Sequence, residues 1–330
     1  MAIADTRAAA QPPAGLTDDT IVYFDGKFLP LERATVTVAT HGLNYGTGCF
    51  EGIRAYWSAE HKELYVLKLD EHIDRFYRSC NVLRIRPTVT RSEFHDIIIE
   101  VLRQNRFKSD VYIRPLAFKS AQTIKLTLSG LADSFAVYAF PMGYYAHRDG
   151  GLRVGLSAWR RIDDNAIPAR AKVTGSYVNA SLASDDAAQA GYDEAIMLNN
   201  DGTLAEASSS NAFLVRNGTL ITPPVSDNIL EGITRDVVLT LAREELRIPV
   251  EVREVGRTEI YVADEMFLTG TGVQIEPVAT VDGRPVGNGE PGPVTTRLAA
   301  LYADAVRNRI PAYHAWCTPV YARGHMRPGD

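Results

Sequence analysis

Two short apolar runs flank the polar pair Asp25-Gly26 in IVYFDGKFLPL, residues 21–31. That pair accepts the left-handed backbone of a two-residue turn, so the stretch predicts a β-hairpin. IRAYW (53–57), ELYVLKL (63–69), VYIRPLAF (111–118) and SFAVYAF (134–140) predict further strands. Between them the period lengthens to that of a helix. Ile73, Phe76, Tyr77, Cys80 and Leu83 make one apolar stripe, and Phe94, Ile97, Ile98, Val101 and Leu102 make another. The pattern breaks at PMGYYAHRDGG, 141–151, which collects Pro, Gly and polar residues. It resumes with LRVGLSAW (152–159), a helix over Ser176 to Ala190, and EAIMLN (194–199). An Asn-Asp-Gly turn at 200–202 leads to NAFLV (211–215), an Asn217-Gly218 hairpin and LIT (220–222). A strong helix is predicted from Gly232, with Ile233, Val237, Val238, Leu241 and Leu246 on one face. Strands and helices are mixed in both halves, which predicts an α/β protein. The expected division is a loose Ala/Pro/Asp-rich arm over 1–19, a smaller domain over 20–145, a linker at 146–151 and a larger domain over 152–330.

Length agrees with that division, since 330 residues exceed the usual size of one hydrophobic core and two domains make a cleft. A net charge of −5 with no basic stripe argues against a nucleic-acid partner. No apolar run approaches the roughly 18 residues that a membrane span needs. Cys49, Cys80 and Cys317 are odd in number and lack disulfide or metal spacing, which fits a reducing compartment. With no signal-type apolar core in the opening residues, the expected location is the cytoplasm. The seven histidines are scattered, with no HExxH motif. GTGCFEG at 46–52 is glycine-rich but matches neither nucleotide fingerprint, and no GxSxG elbow occurs.

Four segments carry more specific chemistry. IPARAKVTGSY, 167–177, sets Lys172 among small residues five positions before Tyr177. Alone it reads as a surface lysine. LEGITRDVV, 230–238, puts Gly, Ile and Thr at a helix start, where free N–H groups and the helix dipole favour an anion. Simple capping is the plainer reading. FLTGTGVQIEPV, 267–278, runs into a Thr-Gly-Thr-Gly turn whose amides and hydroxyls suit a second anion, or merely end a strand. TLAEASSSNAFLV, 203–215, places Glu206 between two strand-like runs, where a buried carboxylate requires a cationic partner and a solvated one requires nothing.

Taken in order, FEGIRAY, EHIDRF, YIRPL, IPARAKVTGSY, the Glu206 segment, EGITRDV and LTGTG resemble the class IV aminotransferases, the pyridoxal-phosphate enzymes of fold type IV. NYGTGCFEGIRAY and YIRPL are most similar to the branched-chain amino acid branch. The resemblance implies two α/β domains with pyridoxal 5'-phosphate in the cleft and a homodimer or larger homo-oligomer. It implies transfer of the amino group of Leu, Ile or Val to 2-oxoglutarate in ping-pong fashion. It further implies that Lys172 bonds the cofactor aldehyde and moves the Cα proton. Glu206 then serves the pyridine nitrogen and Tyr177 the ring hydroxyl, with Arg75, Ile233, Thr234 and Thr271 on the phosphate. The substrate carboxylate falls to Tyr112 and the Gly270–Thr271–Gly272 turn, and the side chain to Tyr45, Phe50 and Tyr145. Arg114 becomes the means of accepting glutamate. Val173, Thr174 and Gly175 read as clearance for the cofactor.

Three segments depart from the branch. ASSSN after Glu206 resembles the Ser-rich version of D-amino acid aminotransferases. KSAQTIKLTLSG, 119–130, replaces a glycine-containing loop that the branch sends over its pocket, and Met142 stands where an aromatic residue is usual. D-amino acid or (R)-amine transfer, aminodeoxychorismate lyase activity and a binding protein without activity therefore stay open at this point.

Overall fold

A computed structural model describes residues 15–143 and 147–322. The first sheet grows from the hairpin of β1 (Ile21–Phe24) and β2 (Lys27–Pro30), turned by Asp25 and Gly26, which both take positive φ. A short helix α1 (His41–Tyr45) leads to β3 (Gly48–Phe50), and β4 (Ile53–Ser58) pairs antiparallel with β5 (Glu63–Leu67). Helices α2 (Leu69–Val82) and α3 (Arg91–Asn105) follow the two predicted stripes. Ile73, Phe76 and Cys80 of the first, and every residue of the second, are buried. A Thr90/Glu93 capping box starts α3. The long strands β6 (Val111–Lys119) and β7 (Asp133–Pro141) close this half.

The second half builds its own sheet. It holds β8 (Leu152–Leu156), helix α4 (Tyr177–Gln189), β9 (Glu194–Leu198), β10 (Leu204–Ala207), β11 (Asn211–Arg216) and β12 (Thr219–Thr222). Helix α5 (Ile233–Leu241), β13 (Val250–Val252), helix α6 (Arg257–Ile260), β14 (Glu265–Gly270), β15 (Gln274–Val281) and β16 (Arg284–Pro285) complete it. The strand order is β10-β9-β8-β15-β14-β11-β12-β13, with parallel pairs at β8–β9, β8–β15 and β12–β13 and β16 on β15. The stripe predicted from Gly232 ends early: residues 242–246 form a wider π-turn, so Leu246 leaves the helical period and is only partly buried.

Two elements lie beyond the predicted pattern. Helix α7 (Pro293–Ala305) starts with its N–H groups at Val294 and Thr295 donating to the buried Glu265 carboxylate, at 3.0 and 2.8 Å. Strand β17 (Cys317–Pro319) then returns to the first sheet and pairs with β5, giving the order β17-β5-β4-β6-β7-β1-β2 with β3 on β6. This exchange was not included in the expected division of the chain. Glu63 secures it, because its carboxylate accepts the N–H groups of Val320, Tyr321 and Ala322 at 3.1, 2.7 and 2.7 Å. Replacing Glu63 with Ala strands those donors. The expected result is a loss of about 2 kcal/mol of stability and a melting temperature lower by several degrees, read by calorimetry; an unchanged melting temperature refutes the clamp.

Candidate active site

A cavity of about 530 Å³ opens between the two sheets. Its wall includes Lys172, Tyr177, Arg75, Glu206, Ile233, Thr234, Thr271, Phe50, Tyr112, Arg114, Gly270 and Gly272. Residues spread over more than two hundred positions thus meet in one cleft. Tyr45 does not join them: it is exposed, at the end of α1, with its hydroxyl donating to the Ile124 carbonyl at 3.3 Å. The 119–130 segment lies beside α1 rather than over its own chain's cavity. A Thr40–Gln122 bridge holds it there, with the His41 ring within 2.9 Å of the Lys125 carbonyl. Tyr145 lies outside the described residues.

Lys172 is held through its main chain. Its N–H donates to Ser79 Oγ at 3.0 Å and its carbonyl accepts the Phe50 N–H at 3.0 Å, so α2 and β3 grip the residue from two sides. The side chain is left free to face the cavity, where Nζ donates to Tyr177 Oη at 2.5 Å and sits 4.8 Å from the Phe50 ring centroid. Of the small residues that follow, Thr174 lines the cavity, and all three also have packing roles. Val173 is buried in the first core, Thr174 Oγ1 donates to the Gly46 carbonyl at 2.8 Å, and Gly175 packs against Gly46. A Cβ on Gly46, whose φ is +65°, would fall 2.7 Å from Gly175 Cα. Glycine at these positions permits two chain segments to cross.

Glu206 stands on β10, not in a solvated turn, and is buried. Its cation is supplied by the protein: Arg161 Nη2 lies 2.7 Å from Oε1. Oε2 accepts Asn211 Nδ2 at 2.9 Å and the Leu230 N–H at 3.2 Å. Burial pushes this carboxyl up, and Arg161 and the Leu230 N–H oppose that rise. A carboxylate has about four acceptor directions, so one remains for a further donor. Arg161 was missed by sequence reasoning, since nothing in WRRI marks one arginine as the partner of a residue 45 positions away.

Helix α5 begins at the cavity without a side-chain cap. Gly232 is the N-cap, and the N–H groups of Ile233 and Thr234 have no intrahelical acceptor. Only glycine fits there, because a Cβ would fall 2.0 Å from Asn211 Oδ1. Arg75, also in the wall, is buried on α2. Its Nε and Nη2 donate to Glu51 at 2.8 and 2.7 Å and its Nη1 to the Glu231 carbonyl at 2.9 Å. Burial would raise the Glu51 carboxyl, but Arg75 and His72 hold it well below the usual carboxylate range. Thr271 Oγ1 is committed as a donor to the Gly52 carbonyl at 2.9 Å. By contrast Ser210 Oγ and Thr269 Oγ1, both buried and both in the wall, have no partner. Those orphaned hydroxyls, the uncapped helix and the remaining N–H groups of Arg75 fit a ligand rich in phosphate oxygens. Buried Glu206 fits a ring nitrogen that carries a proton, and Lys172 fits an aldehyde.

Arg114 lies with its guanidinium 4.4 Å from the Phe50 ring centroid, and its Nη2 donates to Tyr112 Oη at 2.8 Å. Its Nε is buried without a partner. Leu116, Tyr138, Phe140, Met142, Ile162 and Ile167 make the apolar part of the wall. Arg54 reinforces that end from behind. It is wholly buried, with Nη2 donating to the Met142 and Gly143 carbonyls at 2.6 and 2.9 Å and Nη1 to the Gly272 carbonyl at 3.3 Å. Among the described residues no group of His, Cys, Asp or Glu is placed to hold a metal ion.

A lysine amine facing an uncapped helix start and a buried arginine, in a cleft between an antiparallel sheet and a mixed one, agrees with the pyridoxal-phosphate enzymes of fold type IV, and this architecture is of that class. Comparison with known proteins narrows it. The profile of the family described as Amino-transferase class IV matches residues 48–281, and the chain belongs to that family. It is 44% identical over 299 residues to a probable branched-chain-amino-acid aminotransferase of Aquifex aeolicus, covering 91% of this chain and 96% of the relative. Among solved structures it is similar to the branched-chain aminotransferase of Thermoproteus uzoniensis with norvaline. That match has a TM-score of 0.88 and 42% identity, over 92% of this chain and 99% of that one. The branched-chain enzyme of Thermobaculum terrenum in its PLP form also gives a TM-score of 0.88, with 37% identity over 92% and 99% of the two chains.

Proposed function

We propose that this chain is a branched-chain-amino-acid transaminase, moving the amino group of L-leucine, L-isoleucine or L-valine to 2-oxoglutarate with pyridoxal 5'-phosphate as cofactor. The observation that carries the reading is the juxtaposition of Lys172 with buried Glu206 and the uncapped start of α5 in one cavity. When bound, the cofactor supplies a carbonyl that accepts the amino group and a ring that withdraws electrons as the Cα proton leaves. Lys172 Nζ would be the amine that holds it and the base that moves that proton. Tyr177 Oη orients Nζ and would meet the ring hydroxyl. Glu206, whose ionised form Arg161 favours against burial, would be the acceptor for the pyridine N–H. Ile233, Thr234 and Arg75 would donate to the phosphate, and Thr271 would support the turn beside it.

Both half-reactions use one pocket. Tyr112 and the Gly270–Gly272 turn receive the carboxylate common to every substrate, with Phe50, Met142 and the apolar wall around an aliphatic side chain. Arg114, through its unpartnered Nε, receives the second carboxylate of glutamate. The test is a half-reaction panel on the full chain with L-leucine, L-glutamate, D-alanine and (R)-1-phenylethylamine, following the visible absorbance of the bound cofactor. L-leucine and L-glutamate are expected to react; D-alanine or the amine reacting in place of leucine overturns the reading. In the same panel Arg114→Ala is expected to raise KM for glutamate and 2-oxoglutarate by about 10- to 100-fold and to spare leucine. The relatives reported above are all branched-chain enzymes, which favours this reading over the D-amino acid, (R)-amine and lyase alternatives.

We further infer a homodimer or larger homo-oligomer acting in the cytoplasm. The support is an exposed apolar patch in which Val38 (85% exposed), Leu43, Tyr45, Ile124 (88%) and Leu126 cluster around α1. Three free, buried cysteines suit a reducing compartment. Sedimentation equilibrium reads the assembly directly, and a monomer at micromolar concentration refutes it.

A further inference from the structure

We propose that Glu51 is a positioning residue of this site: it fixes the orientation in which Arg75 presents its remaining N–H groups to an anion, so that phosphate affinity depends on Glu51 through Arg75. The inference rests on the reading of Arg75 as a phosphate ligand given above.

Glu51 follows β3 and is completely buried. Its Oε1 accepts Arg75 Nε, and its Oε2 accepts Arg75 Nη2 while lying 2.7 Å from His72 Nδ1. The carboxylate is therefore itself fixed from two sides. With Nη1 on the Glu231 carbonyl, three of the five guanidinium N–H groups are committed and two are left to the cavity. His72, Arg75 and Ser79 stand at i, i+3 and i+7, one face of α2. Ser79 Oγ accepts the Lys172 N–H, so the face that Glu51 locks also sets the main chain of the candidate nucleophile.

The carboxylate neutralises the buried Arg75 guanidinium, although a negative group beside a phosphate site also repels the ligand. It fixes orientation as well. A free arginine loses about 2 kcal/mol of rotamer entropy when it is fixed, and a bidentate fork in the apo protein meets that loss before any ligand arrives. The two effects predict opposite signs. If Glu51 acted only as a charge, neutralising it would tighten anion binding; if it positions Arg75, neutralising it weakens binding.

The test uses the full chain with Glu51→Gln, Glu51→Ala, Arg75→Ala and the double variant Glu51→Ala/Arg75→Ala. Dissociation constants are measured for pyridoxal 5'-phosphate by absorbance titration and for inorganic phosphate by competition. Glu51→Gln and Glu51→Ala are expected to weaken both by about 10- to 100-fold, and the double variant to match Arg75→Ala instead of summing the two losses. Unchanged or tighter binding in Glu51→Gln, or additive losses in the double variant, overturns the proposal. If Arg75→Ala itself leaves phosphate affinity unchanged, the assignment of Arg75 falls first and this inference with it. Glu51→Gln is nearly isosteric and decides the question if Glu51→Ala does not fold.

Discussion

Replacing Lys172 with Ala is expected to lower amino-group transfer by on the order of 10³-fold or more, because the variant loses both the anchoring nucleophile and the proton carrier at Cα. The structure gives the substitution little else to disturb. Residue 172 is held by its own N–H and carbonyl, to Ser79 Oγ and the Phe50 N–H, and Ala retains both contacts. Nor does the wall provide a substitute, for among the described residues Lys172 is the one lysine that lines the cavity. Two measurements settle it: single-turnover deamination of L-leucine, and the mass of the peptide containing residue 172 after borohydride treatment of the loaded chain. Transfer near the original rate, or cofactor still fixed to the variant by reduction, would end the assignment.

Glu206→Gln is expected to lower kcat by about 10²- to 10³-fold with a much smaller change in KM for leucine. The amide keeps the shape of the carboxylate but cannot hold a proton on a ring nitrogen by charge. Arg161→Met separates charge from shape in another way. Burial already pushes the Glu206 carboxyl up, and Arg161 opposes it. Removing the arginine raises the carboxyl further, so the ionised form survives only at higher pH. The acid limb of kcat therefore moves upward in Arg161→Met, while Glu206→Gln loses activity across the whole range. A Glu206→Gln variant with near-normal kcat, or an Arg161→Met profile superimposable on the parent, contradicts this role.

Much of the fold was legible because its elements announce themselves locally. Asp25-Gly26 and Asn217-Gly218 place two tight turns by their positive-φ tolerance, and the stripe on α3 is wholly buried as its spacing requires. Helix α7 was not predicted, yet it was readable: Pro293 at its first position and Leu298, Tyr302 and Ala305 at helical spacing carry the usual signals. Strand β17 was not, since three residues around Cys317 have no periodicity, and their pairing depends on Glu63 more than 250 positions earlier. The reading of Glu206 divides in the same way. Its need for a cation follows from burial between two strands; that Arg161 meets the need follows from where β10 and the segment after β8 are brought together.

By itself the sequence determined which residues can do chemistry here: a lysine near a tyrosine, a helix start with free amides, a turn rich in threonine and glycine. These depend on side-chain type and on contacts within one or two turns of chain, which local spacing encodes. Tertiary structure alone decided the partners. It made Arg75 a buried fork on Glu51, assigned Arg161 to Glu206, committed Thr271 while leaving Ser210 and Thr269 open, and set Tyr45 beside its own cavity instead of within it. The reason is physical. A buried polar group must be satisfied by whatever atom the fold delivers within about 3 Å, and that distance is a property of packed sheets and helices, not of neighbours along the chain.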